Sequence, residues 1–330
     1  MNMFERFRTD FEGKTVLVTG GAGFIGSNLS RRLVELGAKV RVIDNLITGH
    51  RENIEDLIGK GVEFIEGDIR DIETCRNGMN GVDYISHQAA LGSVPRSIEQ
   101  PLLSHDHNVN GTFNIICSAI EASVPRVVMA SSSSVYGTEE TLPKVENRTG
   151  DLLSPYAATK SIAEVYGQTM SEVYGIDIIA MRYFNIFGPR QDPNGPYAAV
   201  IPKFIEIMKE GKAPLIFGDG FQSRDFTYVD NAVFANLAAM AKKESTGFTC
   251  VNIACGERLT VINLVDHLKT ALARHDASIA DIQPEFTETR PGDILHSHAE
   301  ISKAKDLLGY KVLVDVGEGI EKTVDWFLNL

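Results

Sequence analysis

Residues 15–26, TVLVTGGAGFIG, decide the fold of this chain. An apolar, β-branched run leads directly into a glycine-rich turn, after which the apolar spacing becomes helical. The helical apolar positions are Ile25, Leu29, Leu33 and Leu36. Glycines let backbone N–H groups approach a pyrophosphate, and the N-terminus of a helix favours its negative charge. The stretch therefore predicts a strand, turn and helix that hold a dinucleotide by its phosphates.

Strand-like runs recur up to residue 183 and alternate with helical patterns. They lie at 15–19, 39–43, 62–66, 83–86, 126–130 and 177–183. Such alternation is typical of parallel sheets whose strands are joined by helices. The sequence therefore predicts an α/β fold with a Rossmann-type doubly wound parallel sheet.

The pattern changes after about residue 183. Stretches rich in proline and glycine, GPRQDPNGP and GDG, surround short helical segments there. We therefore expect a dinucleotide-binding domain over 1–184 and a smaller C-terminal substrate-binding lobe over 185–225 and 257–330. Residues 226–256, a helix candidate followed by a strand-like run, are expected to return to the first domain.

Composition narrows the range of partners. The 330 residues carry 32 Lys+Arg against 44 Asp+Glu, a formal net charge of −12, which gives no basic field for nucleic acid or anionic lipid. The four cysteines form no CxxC pattern and are expected to be buried thiols. No run of 18 apolar residues is free of charge, and the first residues, MNMFERFRTDFEGK, contain no apolar signal region. We expect a cytoplasmic protein without a nucleic-acid or membrane partner.

An acidic residue closes the second predicted strand. Asp44 follows Gly26 by 18 residues, where a carboxylate accepts hydrogen bonds from the adenosine ribose hydroxyls. The same carboxylate would repel a 2′-phosphate, and the next residues, Asn45, Leu46 and Ile47, offer no arginine to hold one. The pattern favours NAD over NADP.

Ligands of parallel sheets collect where the strands end. Asp68 and Ile69 follow the third predicted strand, and Gln88, Ala89 and Ala90 follow the fourth. Together with the glycine turn, these positions form the predicted cofactor site. Its residues are Gly20, Gly23, Phe24, Ile25, Gly26, Asp44, Asn45, Asp68, Ile69, Gln88, Ala89 and Ala90.

A tyrosine and a lysine share one face of a predicted helix. Tyr156 and Lys160 are spaced i, i+4 in PYAATKSIAEVYGQ, and SSSSVYG places serine hydroxyls at the end of the fifth predicted strand. Lowering the pKa of a phenol from about 10 to near 7 requires roughly 4 kcal/mol of preferential stabilisation of the phenolate. A lysine ammonium and a positive nicotinamide ring could supply it. The set predicts proton transfer coupled to hydride transfer.

The motifs follow one another in a characteristic order. They are TGGAGFIG, Asp44, the serine, tyrosine and lysine set, RYFNIFGPRQ, SRDFTYVDN and RPGD. In this order and spacing the chain resembles the extended short-chain dehydrogenase/reductase family, in its nucleotide-sugar epimerase branch. The resemblance covers nearly the whole chain. The stretches HQAALGSVPRS, LSPYAATK and QDPNGPYAAVIPKF look closest to bacterial UDP-N-acetylglucosamine 4-epimerases.

The resemblance implies roles for the catalytic set. Tyr156 is the expected base for the sugar 4-OH and an expected contact of the cofactor, and Lys160 tunes it and binds the nicotinamide ribose. Ser132 is expected to hydrogen-bond the 4-OH, with Ser133 close to the substrate. C4 gives its hydride to NAD, the 4-keto sugar turns over, and the hydride returns to the opposite face. The resemblance also implies a UDP-sugar as substrate and a homodimer.

The substrate contacts are likewise implied by the resemblance. Arginine suits the diphosphate because its planar fork donates paired hydrogen bonds. The expected contacts are Ser93, Ser132, Ser133, Asn185, Val200, Lys203, Phe217, Arg224, Arg290, Asp293 and Ser297. Ser297 stands seven residues after Arg290, where relatives confined to UDP-glucose and UDP-galactose tend to have a tyrosine. The small side chain favours a sugar with a 2-N-acetyl group, as in UDP-N-acetylglucosamine.

Three other functions remain open. A UDP-N-acetyl-hexuronic acid 4-epimerase uses nearly the same motifs. A nucleotide-sugar 4,6-dehydratase or a UDP-glucuronate decarboxylase shares the first hydride step. Relatives of those two kinds carry an acidic residue directly before VYG, where this chain has Ser133 and Ser134. A non-catalytic NAD-sensing regulator would not need Tyr156 and Lys160.

Two histidine pairs raise the question of a metal site. The pairs His105/His107 and His296/His298 are spaced i, i+2, so their members do not share a helix face. The sequence also contains no HExxH motif. We expect no metal.

Overall fold

The computed structural model describes residues 3–194, 197–289 and 295–329. Within these ranges no helix combines the length and the apolar character needed to cross a bilayer. The strands are β1 (Thr15–Thr19), β2 (Lys39–Asp44), β3 (Glu63–Glu66), β4 (Tyr84–His87), β5 (Arg126–Ser132), β6 (Asp177–Tyr183), β7 (Ile186–Phe187), β8 (Leu215–Phe217), β9 (Ser223–Arg224), β10 (Thr227–Tyr228), β11 (Phe248–Ile253), β12 (Leu259–Thr260) and β13 (Glu285–Thr287).

Seven of these strands form one sheet in the order β11-β6-β5-β4-β1-β2-β3. Every neighbouring pair in it is parallel. Two-residue or three-residue strands outside this sheet pair as β7 with β10, β9 with β12, and β8 with β13. The predicted fold class, an α/β fold with a parallel doubly wound sheet, is therefore confirmed.

Helices connect the strands and cover the sheet. They are α1 (Arg8–Phe11), α2 (Phe24–Glu35), α3 (Glu55–Ile58), α4 (Ile72–Gly78), α5 (Val94–Glu99), α6 (Pro101–His105), α7 (Gly111–Glu121), α8 (Pro155–Tyr174), α9 (Val200–Lys209), α10 (Val229–Ala241), α11 (Val261–Ala273), α12 (Ser302–Leu308) and α13 (Val316–Leu328). A π-helical segment, Asp106–Asn110, joins α6 to α7.

Both faces of the sheet are buried, as parallel sheets require. In β1, Val16 and Val18 belong to one apolar cluster, together with Leu29 of α2. Leu17 points the other way, into a second cluster with Ile115 of α7. The apolar side chains of the first strand thus alternate between two hydrophobic cores, one on each face of the sheet.

The strand order reverses at β1, which lies between β4 and β2. At such a switch point the connections after the two neighbouring strands leave in opposite directions, and a crevice opens between them. The glycine-rich turn directly follows β1 and therefore lies at the base of this crevice.

The last strand of the sheet comes from the second half of the chain. β11 pairs with β6 along its whole length, from Phe248 opposite Ile178 to Ile253 opposite Tyr183. Residues 248–253, within the segment predicted to return to the first domain, therefore lie in the central sheet. The division into a cofactor domain and a substrate lobe at residue 184 stays a prediction.

Candidate active site

A cavity of about 700 Å³ opens at the carboxyl ends of β1, β2, β4 and β5. The predicted residues that line it are Gly20, Gly23, Phe24, Ile25, Gly26, Asp44, Asn45, Ile69, Gln88, Ala89, Ala90, Ser132, Ser133, Tyr156, Lys160 and Asn185. One cavity thus brings together most of the predicted cofactor positions and the whole predicted catalytic set.

The glycine turn is closed by backbone contacts that exclude a side chain. Gly20 has a φ of +68°, and a Cβ there would stand 2.7 Å from the Cα of Ala89. A Cβ on Gly26 would stand 2.1 Å from the carbonyl oxygen of Gly20. The same carbonyl accepts a hydrogen bond from the N–H of Gly23 at 3.1 Å. Only glycine permits this close approach, which leaves the N-terminus of α2 open toward the cavity.

Asp44 ends β2 and is buried. Its Oδ2 accepts a hydrogen bond from the N–H of Ala22 at 2.9 Å, and its Oδ1 accepts one from the N–H of Leu46 at 2.9 Å. Burial raises the pKa of Asp44, and these backbone hydrogen bonds counteract part of that rise. A carboxylate has about four acceptor sites. Asp44 therefore keeps acceptor capacity for ribose hydroxyls in the cavity.

Asp68, also predicted at the cofactor site, lies beside the cavity and not in its described wall. Its Oδ2 accepts hydrogen bonds from Asn45 Nδ2 at 2.8 Å and Arg70 Nη2 at 2.8 Å. Its Oδ1 accepts from the backbone N–H of Arg70 at 2.9 Å and from Arg70 Nε at 3.0 Å. Burial raises the pKa of Asp68, but the hydrogen bonds from Arg70 and Asn45 outweigh it and hold that pKa well below its usual range. These four bonds fill the acceptor sites of the carboxylate.

A buried polar network holds the end of β4. Gln88 Nε2 donates to Ser86 Oγ at 2.9 Å, and its Oε1 accepts from the hydroxyl of Tyr183 at 3.1 Å. Asn236 Nδ2 in turn donates to the Tyr183 oxygen at 2.7 Å. Tyr183 lines the cavity and is absent from the predicted set. The network fixes the strand end from which Ala89 continues into the cavity wall.

Helix α8 carries Tyr156 and Lys160 in its first two turns. Ser154 caps this helix, because its hydroxyl accepts a hydrogen bond from the N–H of Ala157 at 3.1 Å. The side chain of Ser132, the last residue of β5, lies beside the hydroxyl of Tyr156 and interacts with it. Burial raises the pKa of Tyr156, and the bond from Ser132 lowers it in part. The structure therefore joins the predicted serine and tyrosine directly.

Lys160 is buried against the same strand. Its Nζ donates to the carbonyl of Ala130 at 2.8 Å. Burial lowers the pKa of Lys160 to about 8, although the charge of Glu164 acts in the opposite direction. The carboxylate of Glu164 accepts from Ser131 Oγ at 2.6 Å and from Arg182 Nη2 at 2.7 Å. This network ties α8 to β5 and β6 and fixes the height of the lysine above the strand end.

Some predicted substrate residues lie outside the described cavity wall. Ser93 caps α5, where its hydroxyl accepts a hydrogen bond from the N–H of Arg96 at 3.3 Å. Val200 is the first residue of α9, and Lys203 in the same helix is exposed. The structure does not bring these three side chains to the catalytic set.

The remaining predicted contacts belong to the short strands. Arg224 in β9 donates from Nη1 to the carbonyl of Leu295 at 3.2 Å. The N–H of Ser297 donates to the carbonyl of Ser223 at 3.0 Å. Phe217 ends β8 and is half-buried. Arg290 and Asp293 lie outside the described residues.

Several residues that line the cavity were not predicted to belong to the cofactor or substrate site. They are His50, Asn53, Arg96, His107, Tyr183, Arg190, Gln191, Asp192 and Tyr197. The guanidinium of Arg96 lies over the ring of Tyr197, 4.8 Å from its centroid. Arg190 donates from Nη1 to Asn28 Oδ1 at 3.1 Å. Arg190 belongs to the RYFNIFGPRQ motif, from which only Asn185 was predicted to be a site residue. The motif could therefore have indicated Arg190 as well.

The chemistry of the cavity fits a dinucleotide. The open N-terminus of α2 suits a pyrophosphate, and the Asp44 carboxylate suits a ribose. The serine, tyrosine and lysine set borders the same space. A bound dinucleotide would therefore be held at one end while its reactive ring faces the acid/base groups.

Comparison with known proteins agrees with this architecture. A family model described as the NAD dependent epimerase/dehydratase family matches residues 16–254. A solved structure of a UDP-N-acetylglucosamine 4-epimerase from Methanobrevibacter ruminantium M1, in complex with UDP-N-acetylmuramic acid, is 38% identical to this chain. The similarity covers 97% of this chain and 99% of that chain, with a TM-score of 0.90.

Curated relatives extend over the same length. A UDP-glucose 4-epimerase of Mycolicibacterium smegmatis is 37% identical over 316 residues, which cover 95% of this chain and 98% of the relative. A UDP-glucuronate 4-epimerase of Thermodesulfobacterium geofontis is 31% identical over 318 residues, or 94% and 95% of the two chains. These relatives share a 4-epimerase name and differ in the sugar. The chain belongs to the NAD dependent epimerase/dehydratase family, and NAD is its cofactor.

Proposed function

We propose that the protein is a UDP-sugar 4-epimerase that interconverts UDP-N-acetylglucosamine and UDP-N-acetylgalactosamine. The observation that carries the reaction type is the meeting of Ser132, Tyr156 and Lys160 in one cavity with the glycine turn. The names of relatives that match nearly the whole chain support 4-epimerisation of a UDP-sugar. NAD, when bound, supplies the hydride acceptor for C4 of the sugar and the hydride donor for its return.

In this proposal Tyr156 transfers the proton of the sugar 4-hydroxyl. Ser132, which interacts with Tyr156, is also proposed to hydrogen-bond the sugar 4-oxygen. Its hydroxyl would then contact both the phenol oxygen and the sugar 4-oxygen. Because burial raises the pKa of Tyr156, the phenolate needs nearby positive charge before it can act as a base near neutral pH. Lys160, one helical turn away, is the protein group that supplies such charge.

Lys160 has donors to spare for this role. An ammonium carries three N–H donors, and the bond to the carbonyl of Ala130 at 2.8 Å occupies one of them. In the proposal, the others would bind the nicotinamide ribose and the phenol oxygen. With a pKa of about 8, most of the lysine is protonated at pH 7. Its charge is thus available where the tyrosine needs it.

The substrate contacts are part of the same proposal. Asn185 and Ser133 line the cavity and are proposed to contact the diphosphate and the sugar. Arg224 and Arg290 are proposed to hold the diphosphate. The further proposed contacts are Ser93, Val200, Lys203, Phe217, Asp293 and Ser297. Since several of these side chains lie outside the described wall, the proposal expects the substrate to extend beyond the cavity toward the short strands.

Two observations favour an acetylated sugar. The solved UDP-N-acetylglucosamine 4-epimerase is similar to this chain over 97% of its length. Small side chains, Ala198 and Ala199, line the cavity next to α9, and Ser297 has a small side chain where a tyrosine would take up space. Room of this kind suits an acetamido group that must be accommodated in two orientations of the ring.

Dehydration or decarboxylation would need a second acid or base near the neighbouring carbon. The residues that follow Ser132 are Ser133, which lines the cavity, and Ser134, whose hydroxyl is buried. Neither is a titratable acid at neutral pH. The two serines therefore favour epimerisation, in which only C4 is oxidised and reduced, over dehydration or decarboxylation.

A panel of nucleotide sugars tests the proposal. Purified protein is incubated separately with UDP-N-acetylglucosamine, UDP-glucose, UDP-glucuronate and UDP-N-acetylglucosaminuronate, and the products are resolved by NMR and mass spectrometry. We expect the highest kcat/KM for UDP-N-acetylglucosamine, with a product of unchanged mass. A higher value for a uronate or for UDP-glucose would contradict the proposed sugar. Loss of water or carbon dioxide would contradict epimerisation itself.

We also propose a homodimer built on α7 and α8. Helix α8 exposes a row of large apolar side chains, Val165, Tyr166, Val173 and Tyr174, and the ring of Tyr166 lies 4.7 Å from that of Phe113 on α7. Apolar patches of this extent are typical of protein interfaces. Light scattering of the purified protein should report twice the chain mass, and a monomer would contradict the proposal.

A further inference from the structure

One cationic side chain in the cavity wall has no acceptor among the described residues. Arg96 belongs to α5, and its guanidinium stacks on the ring of Tyr197, which also lines the cavity, 4.8 Å from the ring centroid. No described residue accepts a hydrogen bond from this guanidinium or places a carboxylate within 4 Å of it. Stacking uses the flat face of the group, so the N–H donors along its edge stay available.

The other arginine and the lysine of the described wall are already engaged. Arg190 donates from Nη1 to Asn28 Oδ1 at 3.1 Å, and Lys160 donates from Nζ to the carbonyl of Ala130 at 2.8 Å. Arg96 is half-buried, and partial burial of a charge without a partner costs free energy. The unengaged guanidinium therefore indicates a ligand group that carries negative charge.

The backbone of α5 fixes the place of Arg96. Ser93, directly before the helix, has a φ of +121°, a strained conformation for a residue with a side chain and one of the kind that clusters at ligand-binding sites. Its hydroxyl accepts a hydrogen bond from the N–H of Arg96 at 3.3 Å. At the other end of α5, Glu99 accepts a hydrogen bond from the hydroxyl of Tyr197. The ring beneath the guanidinium is thus anchored to the same helix.

The position of α5 identifies the part of the substrate that Arg96 meets. The hydroxyl of Ser97, the next residue, accepts a hydrogen bond from the N–H of Tyr156 at 3.0 Å, so α5 contacts the first turn of α8. In the proposed reaction Tyr156 binds the oxygen on C4 of the sugar. The carbons next to C4 are C3 and C5, and C5 carries C6, the carbon that is a carboxylate in a hexuronic acid. The planar fork of an arginine suits such a carboxylate.

We propose that Arg96 binds a carboxylate at C6 of the sugar, so that the protein also epimerises UDP-N-acetylhexuronates at C4. In UDP-N-acetylglucosamine the C6 hydroxyl accepts a hydrogen bond from the same guanidinium, but it carries no charge. The reaction balances as it does for the neutral sugar. The hydride leaves C4 for NAD and returns to it, the 4-hydroxyl proton passes to Tyr156 and back, and the carboxylate is unchanged. The inference rests on the proposed 4-epimerase activity and adds a substrate class to it.

The experiment compares a charged and a neutral sugar on the NAD-loaded protein. The kcat/KM is measured for UDP-N-acetylglucosaminuronate and for UDP-N-acetylglucosamine, with NMR and mass spectrometry of the products. We expect the wild type to convert the uronate to its C4 epimer of equal mass, with a kcat/KM no higher than that for the neutral sugar. Arg96→Met should lower the ratio of the two values, uronate over neutral sugar, roughly 10- to 100-fold, the size expected for a lost charge-assisted hydrogen bond.

Two further variants separate the carboxylate contact from a general loss of charge. Arg190→Met removes the same charge from the same wall, but from a guanidinium that is bonded to Asn28, and should leave the ratio close to that of the wild type. Arg96→Lys keeps the charge without the planar fork and should retain part of the activity on the uronate. Bound NAD, quantified after denaturation, should be equal in Arg96→Met and the wild type, because the N-terminus of α2 is the expected place of the cofactor phosphates.

Binding measurements distinguish a failure of this inference from a failure of the proposed function. Calorimetric titration of the NAD-loaded protein with both UDP-sugars gives a ratio of dissociation constants that needs no turnover. If neither sugar reacts, the proposed function fails, whereas the calorimetric ratio still decides whether Arg96 binds the carboxylate. A wild type that neither binds nor converts the uronate, an unchanged ratio in Arg96→Met, or an equal loss in Arg190→Met overturns the inference. Loss of bound NAD in Arg96→Met assigns the guanidinium to a phosphate of the cofactor and overturns it as well.

Discussion

The cofactor end and the proposed sugar end of the binding site are built from different kinds of structure. At the cofactor end the wall follows long parallel strands, and close contacts at the ends of these strands fix it, such as Gly26 against Gly20 and the Asp44 carboxylate against Ala22. The residues Phe217 and Arg224 of the proposed sugar end lie outside the described cavity wall, on strands of three and two residues. One end is part of the central sheet, whereas the other is an assembly of short pairings.

This difference indicates which properties of the protein substitutions at each end should alter. The cofactor end depends on spacing within a short stretch, so its changes should act on NAD binding and on stability. The sugar end joins distant segments: Ser223 of β9 pairs with Thr260 of β12, and its carbonyl accepts the N–H of Ser297. Changes there should alter the choice of substrate while NAD stays bound.

The largest expected effect lies where the two ends meet. Tyr156→Phe should lower kcat about 10²- to 10⁴-fold, because it removes a positioned proton-transfer group. Bound NAD, measured after denaturation, should remain at the wild-type level. Tyr183→Phe is the matched control, since it removes another cavity phenol, which hydrogen-bonds Gln88. Comparable losses in both variants would place the acid/base role outside Tyr156.

The next effect concerns the rigidity of the cofactor end. Gly26→Ala places a methyl group 2.1 Å from the carbonyl oxygen of Gly20, and the resulting shift of α2 should cost about 3 kcal/mol of unfolding free energy and most of the bound NAD. Urea unfolding and NAD content measure both. Gly92→Ala is the control, because Gly92 also lines the cavity but has open space at the Cβ position. If both variants retain NAD, the cofactor end is less rigid than its contacts imply.

A smaller effect should separate sugar choice from cofactor binding. Ser297→Tyr fills space with an aromatic ring, and overpacking of that kind costs about 1–3 kcal/mol. Conversion of UDP-N-acetylglucosamine should fall roughly 10- to 100-fold, while conversion of UDP-glucose and the content of NAD are spared. Ser297→Ala keeps the site small and should behave like the wild type. An undiminished rate with the acetylated sugar in the tyrosine variant refutes the steric argument.

The smallest effect is a pH dependence of stability caused by Lys160. Its pKa of about 8 in the fold is lower than the ordinary value near 10.4 expected for the unfolded chain. Between about pH 8 and 10.5 the unfolded chain binds more protons, so the free energy of unfolding rises with pH in that window. Lys160→Met removes the buried charge and should lack this rise, which is on the order of 1–3 kcal/mol.

Urea unfolding of both proteins at pH 7, 8.5 and 10 measures the difference, since other titrating groups cancel between them. At pH 7 the inactive methionine variant should be at least as stable as the wild type. Parallel stability curves would show that the buried lysine costs the fold nothing.

The sheet was predictable because each of its strands is a local signal. The predicted bounds of β1 and β6 agree with the structure residue for residue, and β4 lies one residue later than predicted. Short pairings such as β9 with β12 were not predicted, because a strand of two residues depends on its partner and has no periodicity of its own. Near the N-terminus, Phe7 packs against Phe234 of α10, a contact between residues too far apart for any local pattern.

The site shows the same division. The glycine turn, Asp44 and the pair Tyr156/Lys160 are defined by spacing, and all line the cavity. Asp68 lies beside the described wall, where Arg70 donates hydrogen bonds to both of its oxygens, and its contact with the cofactor stays a prediction. In the sequence, His107 stood out only as one member of a histidine pair. Its position in the cavity was not predicted, because it depends on a π-helical turn that sequence periodicity does not reveal.

The pairing of β6 with β11 has a consequence for synthesis on the ribosome. When residues 177–183 emerge, β6 can pair with β5, but its other edge stays unpaired until residues 248–253 are also made. Every residue of β6 is buried in the finished sheet, so the nascent chain exposes an apolar edge of the type that drives aggregation. A fragment that ends at residue 184 would keep that edge permanently, which makes truncation there hazardous even though the cofactor motifs are complete. The free edge of β6 is therefore covered only after β11 has been synthesised and has paired with it.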